Sequence, residues 1–168
     1  MPTNCNWIVE YRDAPCSMLR MEPEKNGDYF GRSDMLIGYT VIPELWNRVH
    51  REGRSDYADI TKIGESFCYV KIDGRQGLTN TRFADREDIE DALNDALWNE
   101  AIGCQIGAGT GFRYSYVDLA MSDLRKGIDI VRRVLRAGVI TRNSWIIQFD
   151  QSREPAWVGV WDDSPVPP

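Results

Sequence analysis

Residues 66–73, SFCYVKID, and residues 104–121, CQIGAGTGFRYSYVDLAM, decide how this chain is read. In the first, Cys68, Val70 and Ile72 alternate with Phe67, Tyr69 and Lys71, the period of a strand. The second reads as two strands around a glycine-rich turn. Between the two segments a helix opens with Asp85 as its cap. Glu87 and Asp88 lie in its first turn, where the helix dipole favours anions. Ile89, Leu93, Ala96 and Leu97 recur at helical spacing, and Gly103 is a stop. A second helix opens at Ser122 or Asp123, carries the stripe Leu124, Ile128, Val131, Val134 and Leu135, and closes at Gly138. NSWIIQFD, residues 143–150, is a further strand.

The resulting order over 66–150 is β-α-β-β-α-β. It predicts an α+β fold with a ferredoxin-like core, an antiparallel sheet with two helices on one face. Outward from that core, residues 1–65 read as a ββα extension. NWIVEY and MLIGYTVI are its expected strands, joined by a polar segment containing PEKNGDYFGR, and a short helix follows over 43–53. Residues 151–168 read as a final strand, WVGVW, and an extended, poorly ordered tail, DDSPVPP. A length of 168 residues with 42% hydrophobic content suits a single domain.

Charged residues at 27% and a mean hydropathy of −0.44 describe an ordinary globule rather than a disordered chain. No apolar run reaches the ~20 residues that span a bilayer. The opening MPTNCNWIVEYRD lacks a basic n-region and a long apolar core, so a cytoplasmic address is expected. His50 is the sole histidine, beside the apolar set Leu45, Trp46 and Val49 of its helix, which argues against a His-based metal site or triad. Cys5, Cys16, Cys68 and Cys104 form no C-x-x-C pair, and Cys68 and Cys104 read as buried thiols. No cofactor is expected. Sixteen of the 20 basic residues are Arg.

Three features bear on function. Residues 84–100 hold seven acids against Arg86, a local charge of −6 equal to that of the whole chain. Residues 122–138 carry a local charge of +3. The acidic helix, through Glu87, Glu90 and Asp91, is a candidate docking surface for a basic protein, or else a solvated rim that complements its neighbour. Second, Gly109, Thr110, Gly111 and Arg113 lie in a glycine-rich run whose N–H groups could form an anion nest. The run joins two strands and matches no nucleotide-binding fingerprint, so a bulged hairpin is the competing reading.

The third feature is the sheet face opposite the helices, which collects Tyr69, Tyr114, Tyr116 and Asp118. Here FRYSYVDL resembles the third strand of an RNA-recognition motif, with Tyr114, Tyr116 and Val117 in register and Ser115 as the small residue. It departs at Phe112, Arg113 and Leu119. By element order the resemblance spans roughly half the chain, and it implies an aromatic face that stacks single-stranded nucleic acid. A net charge of −6 opposes that role. The alternative is that the flanking segments cover the face and make the tyrosines core.

For acid–base chemistry, Asp118 beside the tyrosines is the strongest candidate, and a cross-strand bridge to Lys71 is its ordinary explanation. No nucleophile elbow or metal motif is present. The sequence therefore leans toward a non-catalytic, bacterial-type accessory module, regulatory or immunity-like, that binds a protein or a small ligand. A small enzyme using Asp, Tyr and Arg on the sheet face is the alternative.

Overall fold

The computed structural model describes residues 5–25 and 27–168, so the first four residues of MPTNCNWIVEYRD and position 26 of the polar segment lie outside it. In chain order the elements are helix α1 (Asn6–Asp13), strands β1 (Ser17–Arg20) and β2 (Met35–Thr40), and helix α2 (Pro43–Asn47). Strand β3 (Ser66–Asp73), helix α3 (Arg86–Asn99), and strands β4 (Gly103–Gly111) and β5 (Tyr114–Met121) follow. Helix α4 (Leu124–Ala137) and strands β6 (Ser144–Gln148) and β7 (Trp157–Gly159) complete the chain. The strands form one open antiparallel sheet in the order β1-β2-β4-β5-β3-β6-β7.

The alternation read in SFCYVKID divides the molecule into two cores. On one face, Cys68, Val70, Ile72, Val117 and Leu119 pack under Ile89, Leu93 and Leu97 of α3 and Ile130, Val131 and Leu135 of α4. Both helices are capped as their sequences require, Asp85 accepting the Asp88 N–H and Asp123 the Lys126 N–H, each at 3.0 Å. No helix of the described residues is long and apolar enough to cross a membrane.

The opposite face carries Phe67, Tyr69, Tyr114, Tyr116, Trp145 and Ile147, and it is covered. Trp7, Ile8 and Tyr11 of α1, Leu45 and Trp46 of α2, and Tyr57 lie over it. Each large apolar side chain so enclosed contributes about 1.5–3 kcal/mol. The covering layer answers the question left open by the sequence: the tyrosines are core, with Tyr116 fully buried and Tyr114 at 1% exposure.

Three expectations for the flanks change. NWIVEY is the helix α1 rather than a strand. Its buried residues 7, 8 and 11 keep helical spacing, and burial against the sheet overrides the strand propensity of its aromatic and β-branched residues. The first strand is instead β1, from the segment read as a polar connection. The tail is held against the sheet: Trp145 Nε1 donates to the Pro165 carbonyl at 2.5 Å, and Ser164 Oγ donates to the Ser144 carbonyl at 3.2 Å.

Candidate ligand-binding site

The loop before β2 supplies two charged residues to the buried aromatic face. Positive φ at Tyr29 (50°) and Gly31 (58°) tightens this loop, and the Ser33 N–H closes a turn on the Phe30 carbonyl at 3.1 Å. Arg32 and Asp34 are thereby turned inward, at 6% and 0% exposure.

Arg32 holds Asp118 with both terminal guanidinium nitrogens, Nη2 reaching Oδ2 at 3.2 Å. Trp46 Nε1 donates to the same oxygen, also at 3.2 Å. The guanidinium carbon lies 4.9–5.2 Å from the ring centroids of Trp46, Tyr69, Tyr116 and Phe149, an aromatic box around a planar cation. The bridge from Asp118 to Lys71 expected from sequence is therefore replaced by Asp118–Arg32. Lys71, fully buried, donates to the Tyr29 carbonyl at 2.8 Å and sits 4.1 Å over the Tyr114 ring. Burial pushes its ammonium pKa down to about 8.

Asp34 accepts from the backbone N–H groups of Arg113 (2.8 Å) and Tyr114 (2.9 Å) and from the Tyr116 hydroxyl. The Tyr116 pKa is raised by burial and by this bond to a carboxylate. An anion does occupy N–H groups at the glycine-rich hairpin, and it is the chain's own aspartate. The glycines make room for it. A Cβ on Gly111 would lie 2.2 Å from Asp34 Oδ2, and one on Gly107 would lie 3.1 Å from Asp118 Oδ2. The remaining residues singled out in the run are placed beside these contacts. Gly109 lies between Gly38 and Tyr116 in the sheet, and the exposed Thr110 accepts from Arg86.

The three candidate docking acids separate. Glu87 and Asp91 are exposed, whereas Glu90 is 6% exposed and accepts from Arg86 (2.6 Å), Tyr39 (2.5 Å) and Gln105 (2.7 Å).

Beside the Arg32 box opens a cleft of about 370 Å³, walled by Phe30, His50, Tyr69, Phe149, Gln151 and Trp157 among others. His50 arrives there from a π-helical turn, Arg48–Glu52, that continues α2 and ends at Gly53 (φ 62°). Arg48 pins this turn through Asp59 (2.5 and 2.6 Å) and Glu44 (2.8 Å). Turns of this kind recur at functional sites. Burial, with a smaller contribution from the Arg32 charge, pushes the imidazole pKa down to about 4, so the ring is neutral near pH 7. His50 Nε2 and Arg32 Nε are both buried without a hydrogen-bond partner among the described residues.

Arg32, Asp34 and the cleft role of His50 were not found by sequence reasoning. A charged residue in a polar loop carries no local mark of burial. The alternation of β3 located Tyr69, and that of β5 located Asp118. No group of His, Cys, Asp and Glu among the described residues is arranged to hold a metal ion, and all four cysteines are free, with Cys68 and Cys104 buried.

The architecture defines an α+β protein with a seven-stranded open antiparallel sheet and a covered aromatic face. No protein-family model, no curated protein and no solved structure matches the chain.

Proposed function

We propose that this chain is a non-catalytic binding module that takes a small, flat, largely apolar molecule with one polar group into the cleft beside Arg32. The observation that carries the reading is the cleft itself, with aromatic walls and two buried nitrogens that lack partners. Concave, mostly apolar pockets with a few convergent polar groups are the usual form of small-ligand sites. Arg32 Nε offers a donor, and His50 Nε2, on a neutral ring, offers a second polar contact. Binding rather than turnover is favoured because the carboxylates of Asp34 and Asp118 are committed to internal partners.

The test is an NMR titration with single- and double-ring aromatic fragments, each bearing one carbonyl or hydroxyl group. Amide shifts clustered at His50, Phe149 and Gln151, lost in Val49→Trp at the cleft wall, support the reading. No clustered shift at millimolar fragment overturns it.

Residues 66–150 we assign to a ferredoxin-like core, supported by the inner strand order β4-β5-β3-β6 and the packing of α3 and α4 on one face. A reducing, cytoplasmic setting accords with four free thiols. A basic protein partner on α3 is the second reading. It is favoured by Glu87, Asp91 and Asp95, which are exposed and have no ion-pair partner among the described residues.

A further inference from the structure

A second cleft lies at one end of β3, β5 and β6, where the sheet brings distant polar residues together. Asp73 pairs with Tyr114 across β3 and β5, and its N–H donates to the Asn143 carbonyl at 3.0 Å, just ahead of β6. Arg75 follows β3, and Arg113 occupies the hairpin between β4 and β5. Arg75, Arg113, Tyr114 and Asn143 line a cleft of about 260 Å³ with Asp28, Trp145 and the tail.

Asp73 holds both guanidinium groups. It is 3% exposed and accepts from Arg75 Nε (3.1 Å) and Nη2 (2.8 Å) and from Arg113 Nη2 (2.9 Å). Burial alone would raise its pKa, but the hydrogen bonds from Arg113 and Arg75 hold it at about 2. The exposed Asp28 also lines the cleft and helps raise the Arg113 pKa, so the attraction for an anion rests on directed donors rather than on an excess of positive charge. Lys71, behind Tyr114, faces Asp34 and Asp73.

Two donors are unspent. The Tyr114 hydroxyl and Arg113 Nε are buried and have no partner among the described residues. A buried donor without an acceptor is costly in a finished core, and both belong to residues that line the cleft. We propose that this cleft binds an oxyanion, the carboxylate or phosphate group of a small molecule, through Arg75, Arg113 and the Tyr114 hydroxyl. Planar guanidinium forks suit either group. The site shares no lining residue with the cleft beside Arg32.

The experiment is calorimetric titration of the full chain with inorganic phosphate and with acetate at fixed ionic strength, set against sodium chloride. Saturable binding of phosphate alone identifies a phosphate-bearing ligand, and saturable binding of acetate identifies a carboxylate. Either supports the site if Tyr114→Phe and Arg75→Gln each weaken it about tenfold, the worth of one charge-assisted hydrogen bond. Tyr114→Phe removes only a hydroxyl without an internal partner, so its melting temperature should not fall. Binding of neither anion, or binding that both variants leave unchanged, overturns the proposal.

Discussion

The Asp34 carboxylate accepts the backbone N–H of Tyr114 at 2.9 Å, across 80 positions of chain. The same oxygen accepts the neighbouring N–H of Arg113 at 2.8 Å, so one loop side chain closes the β4–β5 hairpin. Asp34→Ala strands two backbone donors and the Tyr116 hydroxyl in the core. A loss of about 3–5 kcal/mol is expected from the urea midpoint. Gly111→Ala pushes a methyl group into the same carboxylate and should cost about 1–3 kcal/mol. A neutral Asp34→Ala variant would show that the hairpin stands without its anion.

The ion pair of Arg32 with Asp118 is almost fully enclosed, at 6% and 0% residue exposure. Asp118→Ala leaves the guanidinium unpaired among aromatic rings and should cost about 3–5 kcal/mol. The double variant Arg32→Met, Asp118→Asn removes both charges and keeps an acceptor for Trp46. It should be more stable than Asp118→Ala alone. Equal losses in denaturant unfolding would contradict the unpaired-charge explanation.

His50 gives the fold a directional pH dependence. Its pKa falls from 6.5 to about 4 in the folded chain, so between those values the unfolded chain takes up the proton first. Stability therefore declines as pH drops from about 6.5 to about 4. His50→Phe should flatten the melting temperature over that interval, and an unchanged slope in the variant would assign it to other groups. The Asp73 contribution lies lower, present above its unfolded pKa of 3.8 and lost as pH falls toward about 2.

On the acidic helix, charge and structure separate cleanly. Glu87→Lys should cost up to about 1 kcal/mol, since it reverses a favourable charge in the first turn of α3, and the exposed Asp91→Lys less than about 0.5 kcal/mol. Glu90→Leu should cost about 2–4 kcal/mol, since it abandons Arg86, Tyr39 and Gln105. Thermal melts of the two sets distinguish them. If a basic protein docks here, only the Glu87 and Asp91 reversal should weaken its binding while leaving the fold intact.

Local patterns carried much of this architecture. The alternation in SFCYVKID divided Cys68, Val70 and Ile72 from Phe67 and Tyr69, and the two faces hold those residues as read. The caps Asp85 and Asp123 and the stripes of α3 and α4 are short-range features whose partners lie within one turn. NWIVEY failed because a short aromatic and β-branched segment is ambiguous until it meets the surface that buries it.

The sequence by itself determined the α+β class, the two helices and which side chains share each face of β3 and β5, because periodicity is local. It could not decide whether the aromatic face was open, what neutralised Asp118 or which anion the glycine-rich hairpin held. Those answers come from Trp46, Arg32 and Asp34, which reach the sheet from a loop and a short helix more than 70 positions away from their partners. A charge in a polar loop looks the same in sequence whether it faces water or the core. Only the folded chain, by burying it, requires it to have a partner.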